Sequence, residues 1–363
     1  MPLTRYHCAM DTALQPYIDR VRAAATDGTT LRLRGGGTKD FYGQSLQGEV
    51  LDTRPLSGIV SYEPSELVVT VRAGTPLTEL EALLDSKGQM LPFEPPHFGA
   101  PGTATVGGMV AAGLSGPARA SVGAVRDYML GVQLLNGRAE LLTFGGQVMK
   151  NVAGYDVSRL LAGSMGTLGL IVQVSLKVLP RPVAEATLVF ELDEAAALRQ
   201  LNAWAGQPLP LNASCWHEGA LAVRLRGAQA AIESARRTMG GKDLDAEQAA
   251  RLWSGLREQT SSFFTRDDGS ALVRLSVPDT APPLGLGPTL IEWGGAQRWV
   301  RLPLRSAADL SGLAGHATLF RAADKGAGVF TPLAAPLDRI SRELKQQFDP
   351  AGIFSRGRIY PDL

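Results

Sequence analysis

The chain has 363 residues, 45% of them hydrophobic and 20% charged, with a formal net charge of +1. This is a globular composition with room for a sizeable core and about two domains. It offers no electrostatic footprint for nucleic acid or an anionic membrane. Its two cysteines, Cys8 and Cys215, suggest neither a disulfide framework nor an iron–sulfur cluster.

Met1 to Thr12 lacks a charged start followed by an apolar core, and no run of 18 apolar residues occurs, so a cytoplasmic location is expected. Leu14, Tyr17, Ile18 and Val21 recur at helical spacing up to Asp27-Gly28. Thr30 to Leu33 alternates as a strand, and Arg34-Gly35-Gly36-Gly37-Thr38-Lys39 follows. Three glycines there allow consecutive main-chain N–H groups to turn to one side as a concave anion nest. Thr38 adds a hydroxyl, and Arg34 and Lys39 add positive charge, which is what a diphosphate needs. The other reading is a flexible turn. The Walker A and dinucleotide-fold fingerprints fail on spacing, because no Gly-Lys-Ser/Thr occurs and Asp40 stands where a third glycine is required.

Strands are expected at Val50–Thr53, Gly58–Tyr62 and Glu66–Val71, followed by a helix with Thr75 as cap, Pro76 at its first position and Leu77, Leu80, Leu83 and Leu84 on one side. Met90 to Gly99 is a proline-rich loop containing His97. Gly102 to Gly116, with Thr105, Gly107, Gly108, Gly113 and Ser115, is nearly all small side chains. Such a stretch lets either a ligand or a second helix approach its backbone closely. Arg119, Gly123, Arg126 and Asp127 precede a strand at Tyr128–Leu135, and Asn136-Gly137 turns it back along Arg138–Phe144. Lys150 to Ile171 carries Gly163, Gly166 and Gly169 at every third position, with Thr167 among them, before a strand at Leu170–Val178.

These three segments, in this order, resemble flavoproteins of the vanillyl-alcohol oxidase and para-cresol methylhydroxylase type. The tail Phe348-Asp349-Pro350-Ala351-Gly352-Ile353 is similar to the ending of their 2-hydroxy-acid dehydrogenase branch. The resemblance implies an α+β chain with a two-subdomain FAD-binding domain at 1–180. A smaller α+β cap at 183–330 would follow the Pro180-Arg181-Pro182 break, and a segment at 331–363 would return to the FAD domain. It implies that Arg34–Lys39 holds the FAD pyrophosphate through main-chain N–H groups. Thr105, Gly107, Gly108, Gly113 and Ser115 would line the flavin and pyrophosphate, with Arg119, Gly123, Arg126 and Asp127 fixing the adjoining loop. Gly163, Gly166, Thr167, Gly169 and Ile171 would approach the adenosine half. Threonine at position 38, with no histidine nearby, implies non-covalent FAD. Met165 stands where many relatives carry glutamate.

The catalytic relatives bind a metal through His-Gly-Asp-Gly-Asn-x-His and Glu-His-Gly motifs. Here His7, His97, His217 and His316 are too dispersed for such a site, so no metal is expected. His217 is expected in an exposed turn and His316 in a structural role. The compact cap without that motif is similar to the E-type subunit of bacterial glycolate oxidase (glycolate dehydrogenase) complexes. That resemblance implies a catalytic D-type flavoprotein partner, an iron–sulfur F-type partner, oxidation of glycolate to glyoxylate, and a membrane contact made only through partners. A non-redox structural subunit, and a stand-alone oxidoreductase using His97 or Tyr155 as acid or base, are the alternatives.

Overall fold

The computed structural model describes residues 12–146, 156–266, 268–303, 310, 312–325, 328–361 and 363. Lys150, Asn151 and Tyr155 therefore lie outside the described residues.

The first half contains α1 (Gln15–Asp27), β1 (Leu31–Arg34), β2 (Glu49–Asp52), β3 (Ile59–Glu63), β4 (Val68–Arg72), α2 (Leu77–Asp85), β5 (Gln89–Met90), α3 (Val106–Ala112), α4 (Arg119–Val122), α5 (Val125–Tyr128), β6 (Met129–Leu135), β7 (Leu141–Gly145), β8 (Leu170–Lys177) and β9 (Leu179–Pro180). Two layers organise it. A five-stranded antiparallel sheet runs β3-β4-β8-β6-β7. Alternate residues Val69, Val71, Val132, Leu134, Val174 and Leu176 point to one face, where Leu77, Leu80, Leu84, Met109 and Val110 of α2 and α3 bury them. Beside it, β1 and β2 pair in parallel, and α1 covers them through Tyr17, Ile18, Val21 and Ala24. The end of the chain joins this small sheet. Leu31 N–H donates to Ile353 O (2.6 Å), and Ser355 N–H donates to Leu31 O (2.8 Å).

The second half contains β10 (Ala184–Glu191), α6 (Glu194–Ala205), β11 (Leu211–His217), β12 (Ala220–Gly227), α7 (Gln229–Met239), β13 (Lys242–Asp243), α8 (Ala246–Glu258), α9 (Ser262–Thr265), β14 (Ala271–Ser276), β15 (Thr289–Glu292), β16 (Gln297–Leu302) and β17 (His316–Arg321). Its strands form an eight-stranded antiparallel sheet, β13-β10-β12-β11-β15-β16-β14-β17. α6 and α7 cover one face through Leu198, Leu201, Trp204 and Ile232. The other face packs on α8 and on Tyr42, Phe98 and Leu114 of the first half, so one core spans the junction. Asp193 and Asp245 cap α6 and α8 by accepting from Ala196 N–H and Gln248 N–H.

Buried ion pairs fasten the halves. The Glu94 carboxylate accepts from Arg224 (2.8 Å) and Arg226 (2.6 Å), and Glu258 at the end of α8 accepts from the N–H groups of His97 (3.1 Å) and Phe98 (3.0 Å). Burial alone would raise the Glu94 pKa, but the two guanidiniums outweigh it and hold the carboxyl below its ordinary value.

α10 (Ala335–Phe348) meets the first half through its last turns. Phe348 packs edge-on to Phe144, and Lys345 Nζ donates to Thr167 O (2.7 Å) and Phe354 O (2.9 Å). Leu337 and Ile340, large apolar side chains of its earlier turns, are exposed. His217 departs from expectation. It closes β11 half-buried, with its ring edge-on to Phe263, and burial pulls its pKa down.

Candidate FAD trough and junction cavity

Two cavities merge into one trough along the edge of the first half, sharing Leu33, Arg34, Gly35, Gly108, Ala111 and Met165. The larger, about 730 Å³ counted to its open mouth, is walled by all of Arg34–Lys39. Hydrogen bonding of β1 to β2 stops where Thr53 N–H donates to Arg34 O (2.9 Å). The five main-chain N–H groups of Gly35 to Lys39 have no hydrogen-bond acceptor among the described residues. Polar backbone left so is rare unless something else satisfies it. Gly37 has φ +71°, which gives the turn its hand. Arg34 Nε is tied to Asp40 Oδ2 at 2.8 Å, which steadies the loop. Lys39 Nζ donates to His97 O (3.1 Å); burial pulls its pKa down to about 8, against the pull of Glu258. A run of free donors with a desolvated lysine fits a diphosphate.

Thr105 caps α3, its Oγ1 accepting from Gly108 N–H (3.2 Å), and lines the larger cavity with Gly108. Gly107 lines the smaller, although its own N–H is used by Ala73 O (2.7 Å). Gly166, Gly169 and Ile171 line that smaller cavity too.

The remaining expected site residues stand elsewhere. Gly113 faces Gly163, so closely that a Cβ on it would lie 2.9 Å from the Gly163 Cα. Thr167 is buried on Ser164 O. Asp127 Oδ2 accepts from Ala124 N–H (2.8 Å) beside Gly123, and Arg126 points to solvent. The Arg119 guanidinium stacks 4.5 Å from the Trp293 ring. His97 Nε2 lies 2.9 Å from Glu81 Oε2, so its imidazole is engaged by α2 and lines none of these cavities.

The sequence reading missed Tyr42, Ser45, Leu46 and Gln47, and above all Ser355, Arg356 and Arg358 from the tail, all of which wall the larger cavity. Arg358 gathers the carbonyls of Asp40, Tyr42 and Gln44, so the far end of the chain shapes the loop after the nest. Met165 lines both cavities at φ +51°.

A third cavity lies at the junction of the halves. Phe98, Leu114 and Ser115 meet Arg257, Arg274, Glu292, Gln297, Trp299 and Phe320. It adjoins the trough, because Tyr42 walls the larger cavity while its hydroxyl accepts from Arg274 Nη2 (3.1 Å). Burial pushes the Glu292 carboxyl up to about 7, opposed by hydrogen bonds from Trp299 and Gln297. Among the described residues no group of three His, Cys, Asp or Glu is placed to hold a metal, and no helix is long and apolar enough to cross a membrane.

Residues 15–145 match a family described as FAD binding domain. The solved structure of alkyldihydroxyacetonephosphate synthase superposes with a TM-score of 0.62 at 15% identity, covering 93% of this chain and 74% of that one; this shows the fold. Fold and trough together define a flavoprotein of the FAD-dependent oxidoreductases. The chain is 45% identical over 357 residues to glycolate oxidase subunit GlcE of Escherichia coli (strain K12), spanning 96% of this chain and 98% of that protein, and it belongs to that family. Glycolate oxidase subunit GlcD of Bacillus subtilis (strain 168) is 30% identical over 181 residues, 49% of this chain and 38% of that protein. D-lactate dehydrogenase of Archaeoglobus fulgidus is 34% identical over 151 residues, 41% of this chain and 33% of that enzyme.

Proposed function

We propose that this chain is the non-covalent FAD subunit of a multi-subunit glycolate dehydrogenase, one that oxidises glycolate to glyoxylate and passes the electrons through an iron–sulfur subunit to the respiratory chain. The observation that carries the reading is the row of unbonded amides from Gly35 to Lys39, within a chain so similar along its whole length to a glycolate oxidase subunit. Gly35–Lys39 would take the pyrophosphate, and Gly166, Gly169 and Ile171 the adenosine side. Bound FAD supplies a two-electron acceptor. The chain's own residues would hold its charge: Lys39 and Arg34 would flank the diphosphate, and Tyr42 walls the same cavity.

A D-type flavoprotein partner would supply the metal-assisted step, and attachment to the inner face of the cytoplasmic membrane would come through the partners. Residues 1–180 act as the FAD domain, 183–330 as the cap and 331–363 as the returning segment. The visible spectrum of the purified chain, followed by acid precipitation, tests the cofactor. One FAD per chain released by acid supports this reading, and a colourless chain that takes up no added FAD overturns it. Reconstitution with the two partner subunits should restore dye reduction by glycolate that this chain alone does not show.

A further inference from the structure

The junction cavity is built by one face of the second-half sheet. β16 lies between β14 and β15. Trp299 is opposite Arg274 on one side, and Gln297 is opposite Glu292 on the other. Side chains in register share a face, and residues two apart on a strand share it as well. Arg274, Trp299, Gln297 and Glu292 therefore form one polar patch, with the arginine and the carboxyl on strands roughly 10 Å apart. Across the cavity stand Ser115 and Phe98 of the first half.

Three groups around this cavity are left open. Arg274 donates to the Tyr42 hydroxyl but makes no ion pair with a carboxylate among the described residues. Glu292 Oε2 accepts from Trp299 Nε1 (2.7 Å) and Gln297 Nε2 (3.0 Å), whereas Oε1 has no partner among the described residues. Ser115 Oγ is buried without a hydrogen-bond partner. The Arg274 guanidinium is held only by the Tyr42 hydroxyl and the faces of Tyr42 and Phe320, so its charge has no anionic partner among the described residues, and a buried hydroxyl without a partner is costly unless a ligand completes it.

We propose that this cavity is a binding site for a small 2-hydroxy or 2-oxo carboxylate, with Arg274 taking the carboxylate and Glu292 the adjoining hydroxyl or carbonyl oxygen. The site deepens the reading above and rests on it for the class of acid: the chain would recognise the acid itself, without a metal ligand set. An arginine fork matches a carboxylate through two N–H donors. Glu292 in its protonated form donates to the anion, and in its ionised form repels it. The other charged or titratable groups near Glu292 are Arg257, Arg274, Glu94 and Cys215. Arg257 and Arg274 line the same cavity, Glu94 is held below its ordinary value by its two arginines, and burial pushes the Cys215 thiol up.

Oxalate, a two-carbon acid with no hydride to give, is the probe. Calorimetric titration of the full chain should show one saturable site. Arg274→Met should weaken it by at least ~10-fold, about 1.4 kcal/mol, with Arg274→Lys retaining part of the affinity. Wild-type affinity should fall as pH rises through about 7, and Glu292→Gln should flatten that profile. FAD content, read in the same samples, should not change in any variant. Oxalate affinity in Arg274→Met equal to wild type overturns the proposal, as does failure of the FAD-loaded chain to saturate in the millimolar range. A chain devoid of FAD that still binds oxalate through Arg274 upholds this site and sinks the cofactor reading; a chain that binds neither removes both.

Discussion

The trough and the junction cavity lie side by side but are made of different material. The trough presents main chain: five adjacent N–H groups of Gly35 to Lys39, reinforced by a glycine face at Gly166 and Gly169. The junction presents side chains carried in register on a sheet, Arg274, Gln297, Trp299 and Glu292, opposed by loops of the other half. A main-chain site tolerates no added atoms, while a side-chain site tolerates small changes of shape but no change of charge. The first suits an invariant group such as a diphosphate; the second suits a ligand that must be told apart from others.

The largest contrast should come from Gly36→Val. A Cβ there would lie 1.5 Å from the Thr103 carbonyl oxygen, so the loop must move and the donor row is lost. Flavin retention should vanish, read as the ratio of flavin to protein absorbance. Gly206→Ala, whose new methyl meets only Ala203 O at 3.9 Å, should leave that ratio unchanged.

The next effect falls on the clamp between the two regions. Glu94→Gln leaves the buried Arg224 without a carboxylate, while Arg226 keeps Glu185, and should cost about 3–5 kcal/mol in chemical unfolding. The folded-state pKa of Glu94 is lowered, so its stabilisation is complete above the ordinary 4.5 and is lost as pH falls through the folded value. The wild type should therefore lose stability on acidification more steeply than the variant. Equal acid slopes would show that the clamp contributes nothing.

Lys39 gives a smaller, pH-dependent effect. In the unliganded protein its amine titrates near 8 rather than 10.5, because burial favours the neutral form; a bound diphosphate favours the charged one. FAD affinity should fall by up to ~10-fold per pH unit above about pH 8, and Lys39→Met should be flat across that range. Least of all, Leu337→Ser and Ile340→Ser on the exposed turns of α10 should shift stability by less than ~0.5 kcal/mol and leave flavin content alone.

What could be read in the sequence follows the same division. The nest was visible because its requirement is local: only glycine meets the turn at Gly37 and the close approach at Gly36. The hairpin at Asn136-Gly137 was visible for the same reason, whereas Thr75, expected to cap α2, does not cap it: α2 starts after Pro76 without a side-chain cap, and Thr75 Oγ1 accepts from Gly58 N–H (2.9 Å) instead. Strands β15 and β17 gave no clear signal, the first being a four-residue element among glycines and prolines. Gly113 and Gly163 showed as small residues, but nothing local says that they face each other rather than a ligand. Arg274 and Glu292 gave no signal, because their meeting depends on the register of β14, β16 and β15. Ser355 and Arg358 gave none because their partners lie near the opposite end of the chain.

That last contact governs the order in which the protein can be assembled. β1 is made early, but its neighbour at Ile353 and the arginine that gathers the 40–44 carbonyls are made last. Closing so long a loop is slow, because its entropy must be spent before the contact rewards it. Until residues 353–358 are made, the nest stands with one wall missing, so cofactor capture waits for them. A fragment ending before Asp349 should fold its five-stranded sheet and yet hold no flavin, which makes the yellow colour a reporter of the last step of folding.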